Sequence, residues 1–217
     1  MSDRPDAPAR LFVALELGAE VRAALSGWAR ATLGGEPGVR LLAADSLHVT
    51  LCFLGAVSLS AVPELSAALA VETDRARSAA PPTFGVEGVR WLPPRRPRVC
   101  AVSLRDLGGR GRTLQAALSE RLAAGGWYAP ERRGWLAHVT VARVSRDSGG
   151  AGRRGGLGGS GSTGGSRSAG GSRSAGGSRS TGGSPMPPPG APFPATAVVL
   201  MRSWPGSRYE ALTRIAL

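Results

Sequence analysis

From about Arg146 to Gly190 the chain gives up almost all of its apolar side chains. This stretch holds 17 of the 32 glycines. It also repeats a six-residue unit: GGSRSA at Gly164–Ala169 and Gly170–Ala175, then GGSRST at Gly176–Thr181. Fixing a backbone costs roughly 1–2 kcal/mol per residue, and Gly and Ser bury too little to offset it. The composition therefore predicts a disordered insertion over 146–190. A six-residue period is too short for a stacking unit, so a solenoid is excluded. The fold must be built from the residues on either side, as a single domain spanning 1–217 and interrupted by this insertion.

The insertion carries Arg146, Arg153, Arg154, Arg167, Arg173 and Arg179 against Asp147 alone, which is +5 of the net +12. All 27 basic residues are Arg. Such uniformity reflects base composition of the source more than phosphate recognition, but the sign of the charge favours a polyanionic partner. The insertion itself reads as a tolerated loop expansion or as an auxiliary RNA-contacting arm. Two cysteines are too few for a disulfide scaffold or a Cys-rich zinc site. No apolar run approaches the roughly 20 residues that span a bilayer. The N-terminal MSDRPDAPAR lacks the pattern of a signal peptide. The expectation is a cytoplasmic protein with reduced thiols and no membrane partner.

Outside the insertion, strand and helix patterns alternate. LFVALEL (Leu11–Leu17) and LHVTLCFL (Leu47–Leu54) read as strands, separated by an amphipathic helix over Ala19–Leu33. A helix follows over Ser60–Ala79, with Pro63 in its first turn, where the missing N–H costs little. Val86–Leu92 and Val99–Leu104 read as strands around the turn-forming PPRRPR. Leu107–Ala124 reads as a helix stopped by Gly125 and Gly126. Trp135–Val144 is a further strand, and Ala195–Met201 with Tyr209–Ala216 form a closing hairpin. The order suggests an α+β fold of two similar lobes, each holding a helix and then a strand with a histidine at its heart.

Those two histidines are the only ones in the chain, and their settings match: Leu47-His48-Val49-Thr50-Leu51 and Ala137-His138-Val139-Thr140-Val141. With 10 threonines in 217 residues, the chance that both histidines have Thr two places on is about 0.2%. On a strand, side chains alternate faces, so His48 shares a face with Thr50 and His138 with Thr140, while the valines point to the other layer. Two such strands facing each other would gather two imidazoles and two hydroxyls. A histidine pair can supply one neutral base and one charged acid near neutral pH, and the hydroxyls can donate to the non-bridging oxygens of a phosphodiester. A zinc site would need a third ligand, for which no candidate stands at motif spacing. Cys52 shares strand parity with His48 and Thr50, yet a free Cys is usually a small buried hydrophobe. Arg143, five residues after His138, falls on the opposite face by strict alternation unless a bulge intervenes. Phe12, Trp135, Trp204 and Tyr209 could stack a base or serve the core.

These motifs resemble those of the two-histidine phosphoesterase superfamily, and more narrowly the RNA 2',3'-cyclic phosphodiesterases, also known as the 2'-5' RNA ligase family. The likeness runs through RLFVALEL (Arg10–Leu17), LHVTLCFLG (Leu47–Gly55), AHVTVAR (Ala137–Arg143) and the closing VLMRS and YEALTRIAL. It departs from the family at Ala137, where Pro is common, at Cys52, where a basic residue is common, and in the Gly/Ser/Arg insertion. The resemblance implies a bilobal α+β fold, with antiparallel strands, helices packed outside and a central cleft. It implies metal-independent, cofactor-free hydrolysis of RNA 2',3'-cyclic phosphate ends, such as those of tRNA fragments, to 2'-phosphomonoesters by a monomer. By position, His48 would give a proton to the departing 3' oxygen and His138 would take one from water. Thr50, Thr140 and Arg143 would hold the substrate. A related enzyme of small cyclic nucleotides or 2'-5' linkages, a ligase, and a non-catalytic RNA-binding protein are the competing readings.

Overall fold

In the first strand, β1 (Pro8–Leu17), alternate residues Ala9, Leu11, Val13, Leu15 and Leu17 are buried in one hydrophobic core, while Arg10, Phe12, Ala14 and Glu16 face the other way. The period-2 pattern thus gives the strand a core face and a second, chemically mixed face. The structure is a computed structural model and describes residues 8–145, 188 and 190–217. The insertion expected to be disordered therefore lies, but for Pro188 and Gly190, outside the described residues.

Among the described residues the chain forms three α-helices and eight strands, paired antiparallel throughout. Helix α1 (Ala19–Leu33) buries Leu25, Ala29 and Leu33, one residue per turn. A short strand, β2 (Val39–Leu41), escapes sequence reading because three residues carry no period. Strand β3 (His48–Ser58) follows, then α2 (Val62–Ala79) with Pro63 in its first turn. After β4 (Thr83–Leu92) and β5 (Val99–Leu107), helix α3 begins at Arg110, three residues later than its apolar pattern suggests, because Leu107 still pairs with Thr83 in the sheet. Gly126, at φ 76°, ends α3, with the Trp127 amide donating to the Leu122 carbonyl. Strand β6 (His138–Val144) is shorter than Trp135–Val144, and β7 (Phe193–Trp204) and β8 (Arg208–Ala216) close the chain as a hairpin.

The strands run in the order β1-β3-β6-β5-β4-β7-β8, with β2 on β6, and a β1–β7 pairing closes a ring. Two joins of this ring are thin. Strands β3 and β6 meet at one residue pair, and β4 and β7 at two, whereas β1–β3 and β4–β5 pair along most of their lengths. The thin joins divide the sheet into β3-β1-β7-β8 and β4-β5-β6-β2, the two lobes of the α+β fold. The helices cover the core side of both. No helix among the described residues is long and apolar enough to cross a membrane.

Candidate active site

Both histidines begin a strand, and their strands touch at the thin join. The one β3–β6 pair among the described residues is Val49 with Val139, the middle residue of each His-x-Thr. Both valines are fully buried, which fixes which way the flanking side chains face. In an antiparallel register around that pair, His48 lies beside Thr140 and Thr50 beside His138. The four side chains singled out from sequence are thereby brought together on the non-core face.

Each motif strand then carries a β-bulge at the same place. In β1–β3, Val13 faces Cys52 and Ala14 faces Thr50, so Leu51 is the extra residue. In β5–β6, Cys100 faces Ala142 and Ala101 faces Thr140, so Val141 is extra. Each bulge sits three residues after its histidine and shifts the alternation by one. Leu51 and Cys52 are consecutive buried residues, as are Val141 and Ala142. Arg143 therefore emerges on the face of His138 and Thr140, against strict alternation. Cys52 moves the other way, into the core, which corrects the parity read from sequence. Burial pushes its thiol up to about 12, against hydrogen bonds from Gln115 and Tyr128 that pull it down, so it is no nucleophile. Burial likewise raises Cys100 to about 11.

The two rings are held alike. Nδ1 of His48 lies 2.8 Å from the Ser46 carbonyl, and Nδ1 of His138 lies 2.8 Å from the Leu136 carbonyl. A carbonyl only accepts, so each Nδ1 donates and each Nε2 is left to hold or release a proton. Their surroundings differ. The His48 ring packs against Phe12 (5.0 Å between centroids) and meets the edge of Tyr209 (5.2 Å). Burial above all lowers its pKa from 6.5 to about 4; the Ser46 carbonyl pulls upward, while His138 and Arg143 press it further down. Glu16 stands directly across from His48, but its carboxylate is paired with Arg22 at 3.1 Å and Arg214 at 2.6 Å.

Arg143 donates from Nη2 to the Tyr209 hydroxyl at 3.3 Å. Arg40, its direct partner on β2, donates to the Gly206 carbonyl (3.1 Å) and the Ser207 hydroxyl (2.8 Å) in the β7–β8 turn. The last hairpin is thus tied to the opposite half of the sheet beside the site. Sequence reading raised Tyr209 only as a stacking or core residue and passed over Arg40, because both owe their place to long-range pairing.

The other aromatic candidates separate. Phe12 is buried beneath His48, Phe53 and Tyr209 and outside the main core cluster. Phe53 itself is 60% exposed. Trp204 lies under the Arg202 guanidinium (3.9 Å) and donates to Glu210. Trp135 packs on Phe84 and donates from Nε1 to the Thr50 carbonyl at 2.8 Å, bracing the first motif from behind. Trp135→Phe keeps most of the packing and removes that bond. It is expected to cost about 1–2 kcal/mol in urea unfolding; an unchanged midpoint would show that the bond contributes nothing.

Among the described residues no group of three or more His, Cys, Asp or Glu is placed to hold a metal ion. A groove of about 780 Å³ between α2 and α3 is lined by Glu72, Arg75, Arg121 and Trp127 among others and contains none of the residues above.

Residues 15–101 match the family model described as LigT like Phosphoesterase. The chain is 33% identical over 144 residues to the RNA 2',3'-cyclic phosphodiesterase of Escherichia coli (strain K12), covering 65% of this chain and 75% of that protein. It is 30% identical over 138 residues to the protein of the same name from Archaeoglobus fulgidus, covering 63% and 73%. The fold superposes on the crystal structure of E. coli LigT complexed with 3'-AMP with a TM-score of 0.63 and 26% identity, over 97% of this chain and 98% of that one.

Proposed function

Since the chain belongs to the LigT-like phosphoesterase family, we propose that it hydrolyses the 2',3'-cyclic phosphate at an RNA end to a 2'-phosphomonoester. The chemistry is general acid–base catalysis between two imidazoles and needs no metal. The observation that carries this reading is the Val49–Val139 join, which sets two identically pinned imidazoles and two hydroxyls on one face. The names of the relatives support the substrate class.

In the proposed step His138 takes a proton from water through Nε2 as the water oxygen attacks phosphorus. The bond from phosphorus to the 3' oxygen breaks, and His48 gives its Nε2 proton to that oxygen. The products are a 2'-phosphate and a free 3'-hydroxyl. Thr50 and Thr140 donate to the non-bridging oxygens as negative charge develops on them, and Arg143 balances that charge. His48 must be protonated to act. In the free protein burial above all, with His138 and Arg143 nearby, holds it neutral at physiological pH. A bound phosphodiester supplies the missing negative charge, so the proton is taken up with the substrate. We place the reaction in the cytoplasm, on fragments such as those of tRNA, with the chain acting as a monomer.

The test is an oligonucleotide ending in a 2',3'-cyclic phosphate, incubated with the protein in excess EDTA, beside a cyclic mononucleotide. Turnover of the oligonucleotide to a 2'-phosphomonoester is expected, with the mononucleotide the poorer substrate. No turnover, a 3'-phosphate product, or activity lost on chelation and restored by a metal would each overturn the proposal.

A further inference from the structure

Tyr209 comes from the last strand, yet it touches the key residues of both motif strands. Its ring meets His48 edge-on at 5.2 Å and Phe12 at 5.3 Å, and its hydroxyl oxygen accepts from Arg143 at 3.3 Å. The hydroxyl proton has no acceptor among the described residues. A phenol has one proton to give and lone pairs to receive with. Here a cation occupies one lone pair, and a hydroxyl that accepts from a cation becomes the stronger donor.

We infer that the Tyr209 hydroxyl is a further phosphate-binding group, donating to a non-bridging oxygen of a phosphoryl group held between His48 and Arg143. The inference rests on the reading of the site as a phosphodiesterase cleft. The position follows from the contacts. An anion that reaches both the His48 ring and the Arg143 guanidinium lies against Tyr209, whose ring meets the first and whose hydroxyl meets the second. Arg143 need not leave Tyr209 to bind it, because a guanidinium has five N–H donors and this bond uses one. The turn that carries Tyr209 is held from the other half of the sheet by Arg40. The hydroxyl is thus set in place before substrate arrives, as transition-state stabilisation requires.

The experiment compares Tyr209→Phe with the parent in two assays: affinity for inorganic phosphate by calorimetry, and turnover of the cyclic-phosphate-ended oligonucleotide. Tyr209→Phe keeps the ring against His48 and Phe12. Loss of a hydrogen bond to a charged ligand is expected to weaken phosphate binding and kcat/KM by about 10- to 100-fold, with the melting temperature and the His48 ring resonances of the free protein unmoved. Values within about twofold of the parent in both assays would overturn the inference. If Tyr209→Phe melts lower, Tyr209→His decides: a donor-bearing ring should recover phosphate affinity over Phe, and equal affinity for the two would overturn it. Should the parent fail to turn over RNA, the proposed function falls, while the phosphate measurement still judges Tyr209.

Discussion

His138→Ala should lower turnover of an RNA ending in a 2',3'-cyclic phosphate by about 10²–10⁴-fold, the usual worth of one positioned proton-transfer group. The reason is local. His138 is half-buried, its Nδ1 is committed to the Leu136 carbonyl, and its Nε2 is the base proposed for water. Alanine leaves Val139 in the core and the β5–β6 register intact, so the fold should survive and RNA binding should change far less than kcat. His48→Ala should cost a similar factor by removing the donor to the leaving oxygen. The two losses should not multiply, because either one already disables a step that needs both. Single-turnover rates with pre-bound substrate are the measurement. A loss below about tenfold for either variant would end the two-imidazole mechanism. An unchanged cellular role for His48→Ala would favour an RNA-binding protein that has kept the fold without the chemistry.

The second large effect is on stability. As the pH falls from about 6.5 to about 4, the folded chain should lose on the order of 3 kcal/mol through His48 alone. Burial, with His138 and Arg143 nearby, holds the ring at about 4 in the native state against 6.5 for a free imidazole. Between those values the unfolded chain takes up a proton that the folded chain refuses. The contribution is therefore whole above the unfolded value and lost as the pH drops through the folded one. Carboxylates also titrate in this range, so the useful quantity is a difference: urea unfolding of the parent and of His48→Gln at several pH values. The parent should lose more than the variant. Parallel curves would mean that the ring is not held neutral by its surroundings. Inorganic phosphate should narrow the gap, since an anion in the cleft favours the charged ring and offsets part of the penalty of its burial.

Much of the site was legible because its signals are local. Two His-x-Thr triplets in apolar, β-branched company specify strands, and the period of two specifies which side chains share a face. The helix at Ala19–Leu33 followed from apolar spacing, of which the structure buries Leu25 and Leu33, and the helix expected over Ser60–Ala79 begins at Val62, after a 3-10 turn over Leu59–Ala61. The boundary at Leu107 was misread because an apolar residue suits either the end of a strand or the start of a helix, and pairing with Thr83 decided it. Strand β2 was missed because it exists only where β6 offers an edge.

The two bulges mark the limit most clearly. Nothing in LHVTLCF or AHVTVAR announces that the alternation slips after Thr50 and Thr140. The slip arises because β1 and β5, encoded elsewhere, present their pairing groups in a register that leaves Leu51 and Val141 over. It alone decides that Arg143 faces the cleft and Cys52 the core. By itself the sequence determined the pair of catalytic candidates, the faces they share over three residues, and most of the elements that carry them, since those depend on steric preferences between near neighbours. Tertiary structure decided how the two strands meet, how low the His48 ring is driven, and that Tyr209, 66 residues beyond Arg143, comes to bridge it to His48. These depend on hydrogen-bond register and on charges brought close through space, which the order of residues along the chain does not display.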